Sequence, residues 1–364
     1  MSGSVRHLYV HLPFCAHRCG YCDFVTLVGR PRVHAPYVEA VVAELALERS
    51  LLAASVETVF VGGGTPTNSE PRALQRHLTA LPHAEEVTVE ANPETVTPEL
   101  ARLLARNRVN RVSLGAQSFN TSLLAVLERR AGPDDVRRAV HRLRHAGIEN
   151  LSLDLVYGIP GQSPADLERD IDEALALEPD HLSFYELEAK AGTRFTHAHG
   201  AELARQAEAM EGYFERVVER LVAAGYRWYE TANFSRAGRE ARHNLAYWLG
   251  RDYLGLGIGA VSTVGGRRWR NAPKLAGYLT ALRAARRPVR EVEELDPATQ
   301  TGERLMLGLR LDTPVPLAEV EAALAAGSLR RMERLGLAEL REGGVVLTRR
   351  GRFLGGAVTA ELLA

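Results

Sequence analysis

The three cysteines of this 364-residue chain fall within eight residues of one another. Cys15, Cys19 and Cys22 sit in the run HLPFCAHRCGYCDF over positions 11–24, and no cysteine remains elsewhere for a disulfide or a redox pair. Their C-x3-C-x2-C spacing offers three thiolates from one loop, one short of the four that close an electron-transfer [4Fe–4S] site. A cubane held by three thiolates leaves one iron without a protein ligand, and an open metal position is where chemistry happens. Two other uses are open. One is a zinc ion that recruits His11 or His17, although zinc sites usually pair two C-x2-C arms and this chain has one. The other is three inert buried thiols.

Further residues along the chain carry chemistry. Gly62, Gly63 and Gly64 precede Thr65, Pro66 and Thr67. Three glycines allow backbone conformations closed to other residues and bring amide N–H groups close to a carboxylate or phosphate. The loop lacks the Gly-Lys-Ser/Thr ending of a Walker A motif. Glu90 and Asp154 fall late in apolar runs, where a carboxylate needs a partner, either a bound cation or a structural network. Gln117 offers an amide, and Arg129 offers a fork that fits a carboxylate. His243, Tyr247 and Trp248 combine an imidazole able to ligate iron with flat apolar surface. His243 and Tyr247 share a helical face. Gly255, Gly257 and Gly259 mark a close-packed loop without a dinucleotide fingerprint.

These residues need a scaffold. Strand-like runs at 8–11, 58–61, 86–90, 111–116, 150–155 and 181–187 alternate with amphipathic segments at 37–52, 98–106, 134–146 and 165–176, which argues a parallel α/β sheet. Each strand has one greasy and one small or polar face, since side chains alternate along a strand. Tyr9 and His11, Thr88 and Glu90, Ser113, Gly115 and Gln117, and Ser152 and Asp154 share the polar faces. A doubly wound sheet would bury both faces and read as continuously apolar. The pattern therefore predicts an open, partial (β/α)6 barrel with a polar hollow and its chemistry at the C-terminal rim. A long helix is expected over 200–225 and a strand over 226–234. Helical runs followed by a hairpin around Gly343 and Gly344 predict a smaller, mainly helical, winged-helix-like C-terminal domain. The expected divisions are 1–235, a connecting segment 236–289, and 290–364.

The cysteine run resembles that of the radical S-adenosylmethionine (SAM) superfamily. EANP at 90–93, LGAQSF at 114–119 and DLVYGIPG at 154–161 are similar to motifs of its coproporphyrinogen-oxidase-like branch. The resemblance implies a [4Fe–4S] cluster on Cys15, Cys19 and Cys22, with SAM on the open iron. It implies Gly63, Gly64 and Thr65 at the methionine end, Glu90 at the ammonium and Arg129 at the carboxylate. Gln117 and Asp154 go to the ribose, and Tyr9 and Tyr21 are further contacts. One departure is Leu127-Glu128-Arg129-Arg130-Ala131, where the family has Leu-Gly-Arg-x-His, so Arg129 and Arg130 compete for one role. Two classes share the branch. The oxidase decarboxylates two propionates of coproporphyrinogen III. The HemW-type proteins are regarded as heme chaperones serving respiratory enzymes. Phe24 stands where the oxidase has a fourth cysteine, only eight residues precede Tyr9, and positions 243–248 match H-N-x-x-Y-W. These features favour the heme chaperone, with heme at His243, Tyr247 and Trp248. Its implied partners are recipient hemoproteins, including membrane-associated respiratory enzymes, and a reductant such as flavodoxin or ferredoxin. No catalytic residue is assigned, and the oxidase is the alternative.

Composition bounds the partners. Forty-five acidic and 45 basic residues balance to zero net charge, which gives no electrostatic reason to expect nucleic acid or an anionic membrane. The N-terminus lacks an apolar h-region, no stretch is apolar enough to span a bilayer, and free cysteines suit a reducing interior, so a cytoplasmic protein is expected. Nothing in the sequence sets the oligomeric state.

Overall fold

The computed structural model describes residues 3–190 and 194–363. Six strands, β1 (His7–Leu12), β2 (Val56–Gly63), β3 (Ala84–Ala91), β4 (Arg111–Gln117), β5 (Asn150–Tyr157) and β6 (His181–Glu186), lie side by side in chain order, each parallel to the next. Helices α1 (His34–Glu48), α2 (Pro71–Ala80), α3 (Pro98–Arg106), α4 (Pro133–His145) and α5 (Pro164–Ala176) fill the crossovers. Their starts are written locally. Thr97 accepts from the Leu100 amide, Ser163 and Asp166 form a capping box, and Pro98 and Pro164 open the first turns, where a missing N–H costs nothing.

The alternation within strands sorts the two faces. Leu8, Val10, Val59, Val61, Val87, Val89, Val112, Leu114, Leu151 and Leu153 are buried in one continuous core with Tyr37, Val41, Leu74 and Leu78 of the helices. The opposite face carries His7, Thr58, Thr88, Arg111, Ser113, Ser152 and His181, all buried as well. The hollow is therefore polar and closed from bulk water, as the strand parity predicts.

The sheet is larger than six strands. Tyr253–Leu256 runs parallel beside β1, and Val261–Val264, Arg267–Asn271 and Arg290–Glu294 continue as an antiparallel ladder. Past β6, Asn233–Ser235 and Arg227–Trp228 add antiparallel strands, giving twelve in all among the described residues. The glycine spacing at 255–259 thus marks a strand and a tight return. A Cβ on Gly255 would lie 2.0 Å from the Val261 carbonyl oxygen, and Gly257 has φ +100 with its would-be Cβ 2.7 Å from the His11 carbonyl oxygen. No side chain fits at either. The expected helix over 200–225 divides into Arg194–Gln206 and Met210–Ala223. The halves pack differently. Phe195 joins Leu123, Leu127, Ile159 and Leu187, whereas Tyr213, Val217, Val218 and Leu221 enter the main core.

At the C-terminus, helices Pro297–Gly308, Leu317–Val320 and Ser328–Arg334 pack on a three-stranded sheet of Val315–Pro316, Ala338–Arg341 and Gly344–Leu347. They share a separate core built on Leu305, Val320, Met332, Val345 and Leu362. Arg352 stacks 3.6 Å over the Trp228 ring, and Arg227 grips Asp312 with two bonds of 2.7 Å. No helix among the described residues is long and apolar enough to cross a membrane.

Candidate functional site at the barrel mouth

The cysteine loop leaves the C-terminal end of β1 and is pinned to the loop after β2. The Gly64 amide donates to the Leu12 carbonyl at 2.9 Å, the Thr65 amide to Phe14 at 2.7 Å, and the Leu27 amide to Pro13 at 2.7 Å. Phe14 is buried against His34, with ring centroids 3.9 Å apart. Cys15, Cys19 and Cys22 are free and half-buried. Burial raises the Cys15 and Cys19 thiols, while a bond from Thr65 Oγ1 (3.7 Å from Cys15 Sγ) and the charge of Arg129 beside Cys19 pull them back. Of the two histidines that could complete a zinc site, His11 is committed elsewhere, whereas His17 stays beside the cysteines, its Nε2 3.6 Å from Cys19 Sγ. His17 Nε2 donates to the Glu128 carbonyl at 2.6 Å. His11 Nε2 donates to the Val25 carbonyl at 2.8 Å, which leaves Nδ1 to accept the Tyr9 hydroxyl at 3.0 Å. Among the described residues no three His, Cys, Asp or Glu side chains, the three cysteines included, are gathered closely enough to hold a metal ion in the loop as it stands.

The three glycines work by shape. A Cβ on Gly62 would lie 2.7 Å from Glu90 Oε2, one on Gly63 2.5 Å from the His11 ring, and one on Gly64 2.6 Å from Pro13 and 3.0 Å from Cys15 Sγ. Gly63 also has φ +112. The expectation that these amides face a ligand is corrected here. Gly63 N–H goes to Glu90 Oε2 at 3.0 Å, and those of Gly64 and Thr65 are spent on the cysteine loop. The triplet lets three elements close on one another.

Around this seam the polar strand faces converge. Glu90, at the end of β3, has the Gly63 amide as its one hydrogen bond among the described residues. Burial, reinforced by the neighbouring Asp154 charge, pushes its carboxyl up to about 7. Asp154 accepts from Ser113 Oγ at 2.8 Å and Ser152 Oγ at 3.2 Å; burial raises it and the serines oppose that. Gln117 holds φ +66 at a bulge between β4 and β5. A non-glycine residue in this region stores strain, which persists where surrounding structure demands it. Arg129 is the member of the arginine pair that turns inward. Its Nη2 donates to Gly115 O at 2.7 Å and Asn92 Oδ1 at 3.0 Å, and its buried Nε lacks a partner. Glu128 stands where the family has glycine and adopts φ +56. Its carbonyl holds His17, and its carboxylate meets Arg194 at 2.6 Å. Tyr9 stacks near Phe60, and Tyr21 packs edge-on against Phe195.

His243, Tyr247 and Trp248 do not share one face. The Glu86 carboxylate accepts from the Arg242 and His243 amides at 3.1 and 3.2 Å, which fixes the N-terminus of helix Arg242–Trp248 beneath the hollow. His243 is 1% exposed. Its Nδ1 lies 2.7 Å from Thr58 Oγ1 and its Nε2 2.9 Å from the Tyr247 hydroxyl, and burial depresses it to about 3. Tyr247 reaches a cavity of about 250 Å³ between the cysteine loop and the Tyr253–Val264 turn, lined also by Tyr9, His11, Phe24, Tyr253 and Arg270. Trp248 points away, with the Arg310 guanidinium 4.2 Å above its ring.

The sequence reading missed Arg111. It is 2% exposed, with no hydrogen bond or ion pair to the described residues, and its charge favours ionised Glu90 and Asp154. Its parity with Ser113 on the polar face of β4 was the available signal. Asn92, which aims Arg129, stands in the EANP run at 90–93 but was given no role of its own.

Comparison with known proteins agrees with this architecture. Residues 9–174 match the radical SAM superfamily and residues 295–354 the HemN C-terminal domain. The heme chaperone HemW of Mycobacterium tuberculosis is 37% identical over 383 residues, covering 100% of this chain and 96% of that protein. That of Bacillus subtilis is 33% identical over 377 residues, covering 99% of each. The solved structure of coproporphyrinogen III oxidase (HemN) from Escherichia coli, a radical SAM enzyme, superposes with TM-score 0.78 at 21% identity, covering 99% of this chain and 90% of that one, and so shares the fold. By end-to-end similarity to its named members, this chain belongs to the HemW family of radical SAM proteins.

Proposed function

We propose that this protein is a heme carrier that holds a [4Fe–4S] cluster on Cys15, Cys19 and Cys22 and SAM in the barrel mouth, and passes heme to recipient hemoproteins in a reducing compartment. The observation that carries the reading is the full-length match to relatives named heme chaperone. Phe24 in place of a fourth cysteine fits it.

The residues present suit the cluster and the cofactor. The three half-buried thiols come from one loop, with Cys15 against Gly64 of the glycine seam; nearby, Glu90 has a single hydrogen bond among the described residues and Arg129 a buried Nε with no partner. When bound, the cluster supplies an open iron and an electron for the sulfonium. Glu90 would accept from the methionine amino group, and Arg129 would fork its free N–H groups onto the methionine carboxylate. Asp154, held by serines, and Gln117, fixed at its bulge, would take the ribose hydroxyls. Tyr9 and Tyr21 would exclude water from the two flanks.

Two incubations test the reading. Cluster-loaded protein titrated with hemin should bind one equivalent, seen in the Soret band, and should release it to an apo-hemoprotein. Reduced protein given SAM and coproporphyrinogen III should yield no protoporphyrinogen. Turnover of that substrate would establish the oxidase instead.

A further inference from the structure

The twelve-stranded sheet ends differently on its two sides. On one, Arg227–Trp228 is two residues long and covered by the C-terminal domain, through Arg227 on Asp312 and Arg352 over the Trp228 ring. On the other, Arg290–Glu294 is the last strand, paired with Arg267–Asn271 and with no further strand among the described residues. The Ala272 amide donates to the Val289 carbonyl at 2.9 Å, and the Leu295 amide to the Gly266 carbonyl at 2.8 Å. Residues 289 and 295 therefore turn their backbone groups inward, and so do 291 and 293 between them. The amides and carbonyls of Arg290, Val292 and Glu294 point the other way, out of the sheet. Such an open row is a template for another strand, and folds usually blunt it with proline, a bulge or lysines. This strand holds none of the three. Val289 and Val292 stand along it at 75% and 48% exposure.

The two faces of the strand ask for different side chains. Val292 lies directly opposite Trp269 in the ladder, so the two share a face. That face borders a cavity of about 410 Å³ walled by Leu51, Val264, Trp269 and Val292. The charges around the cavity are spent on one another. Arg287 and Arg290 both donate to Glu48, at 2.7 and 2.8 Å, and Arg267 meets Glu294 at 3.0 Å. What remains on offer is apolar surface, which suits an uncharged side chain. The opposite face carries Glu291 and Glu293. Glu291 is exposed, with no cation within salt-bridge distance among the described residues. Glu293 lies 3.5 Å from Arg268, which it shares with Glu303. Basic side chains on an added strand would answer these two carboxylates. A second copy of this chain fits poorly. Paired antiparallel about Val292, it would set Glu291 of each chain against Glu293 of the other, twice. Arg290 and Glu294 would also meet, but both are already spent.

We propose that Arg290–Glu294 is a docking strand for an extended segment of a partner protein, in which one large apolar side chain stands between two lysines or arginines. The apolar residue pairs with Val292 and reaches the cavity, while its basic neighbours meet Glu291 and Glu293. Main-chain bonds to residues 290, 292 and 294 supply the register, and the alternating side chains supply the selectivity. The strand and its cavity share no residue with the groups proposed for the cluster and SAM, so the inference stands whether or not the heme-carrier reading does.

The test uses a nine-residue peptide that alternates lysine with apolar residues about a central phenylalanine, and its counterpart with glutamate for every lysine. Each is fluorescently labelled and titrated into cluster-loaded protein. The lysine peptide should bind at least about tenfold more tightly than the glutamate peptide and lose affinity as salt is added. Hydrogen exchange should slow at the amides of Arg290, Val292 and Glu294 when it binds. Val292→Pro removes an outward N–H and spares the ladder to Arg267–Asn271, so it should weaken the peptide about tenfold at unchanged iron content. Glu291→Lys combined with Glu293→Lys, two surface changes, should reverse the preference between the peptides. The inference is overturned if neither peptide binds, if both bind equally, if protection falls on other residues, or if the double reversal leaves the preference unchanged. It is equally overturned if the free protein is a dimer in which those three amides are already protected, since the edge would then belong to a second copy.

Discussion

On the proposed placement of the SAM amino group at Glu90, the ionisation of that carboxyl should make SAM binding depend on pH in a way that can be isolated. The carboxyl is enclosed by the glycine triplet and the end of β5. Burial and the Asp154 charge raise it to about 7, against the pull of the Gly63 amide and Arg111. A group with that pKa is about 90% ionised at pH 8 and about 10% at pH 6. Glu90→Gln keeps the shape and removes the charge. The amino group of SAM titrates identically in both proteins, so the ratio of wild-type to Glu90→Gln affinity carries the Glu90 contribution alone. That ratio should fall about tenfold from pH 8 to pH 6, a change of about 1.4 kcal/mol. Anaerobic equilibrium dialysis of labelled SAM against cluster-loaded protein measures it. The same shift fixes the sign of a stability effect without SAM. Between pH 4.5 and 7 the native state binds the extra proton, so stability falls as pH rises through that window, by at most on the order of 3 kcal/mol. The Gln variant should lack this slope. A ratio that stays constant between pH 6 and 8 would refute the placement of the ligand amino group at Glu90.

Four further outcomes follow. Gly63→Ala combines φ +112 with a Cβ 2.5 Å from a His11 ring tethered at both nitrogens, and should cost on the order of 3 kcal/mol and most of the cluster occupancy. Gly29→Ala, at φ +67 with nothing within 4 Å, should cost about 1 kcal/mol and no cluster, as read by melting and iron content. Glu128→Gly relieves a left-handed residue, while Glu128→Ala keeps the φ +56 strain and both lose the same exposed ion pair, so the Gly variant should be more stable than the Ala variant by about 1 kcal/mol in urea titration; the reverse order would show that the backbone at 128 is not strained. Arg111→Met removes the buried charge that favours ionised Glu90 and Asp154, so the midpoint of the affinity ratio should move to higher pH. An unmoved midpoint would separate Arg111 from the site.

The parts that were legible in the sequence are those where one residue type answers one local demand. Six strands were readable because parity separates Leu8 and Val10 from Tyr9 and His11, and Val87 and Val89 from Thr88 and Glu90. Helices α3 and α5 were readable because Pro98 and Pro164 sit behind capping hydroxyls. The strand at Tyr253–Leu256 was hidden because its glycines read as a loop; their role depends on how closely Val261 and His11 approach, which is a tertiary fact. The glycine triplet reads in the sequence as a loop offering amides to a ligand, whereas in the fold Glu90, Leu12 and Phe14 already take the amides of Gly63, Gly64 and Thr65. Adjacent positions 247 and 248 read as one aromatic surface, yet successive helical residues point about 100° apart, and Trp248 leaves the hollow for Arg310.

The two ends of the barrel differ in how far their polar groups are satisfied, and this difference argues most directly for ligands at the mouth. Toward the base, Ser152 bonds His181, His181 bonds the Tyr229 hydroxyl at 2.8 Å, and Thr58 links His7 to His243. Each ring nitrogen of His181 and His243 has a partner, so those groups are closed. Toward the mouth, Glu90 has one hydrogen bond, Arg129 has a buried Nε with none, and Arg270 has no carboxylate. Leaving a buried polar group half-satisfied costs on the order of 1–3 kcal/mol, which applies to Glu90 and Arg129 at the mouth, although Arg111 at the base also keeps an unpartnered Nε. The deficits also have a pattern. Glu90 offers an acceptor beside the glycine triplet and Arg129 a donor beside Gly115 and Cys19, the two kinds of group that the amino and carboxylate ends of one amino acid require. The lone cation stands apart, over the aromatic cavity. A single zwitterionic amino acid would meet Glu90 and Arg129 together, whereas Arg270, exposed on the rim of the cavity lined by Tyr9, Tyr247 and Tyr253, belongs to a different surface.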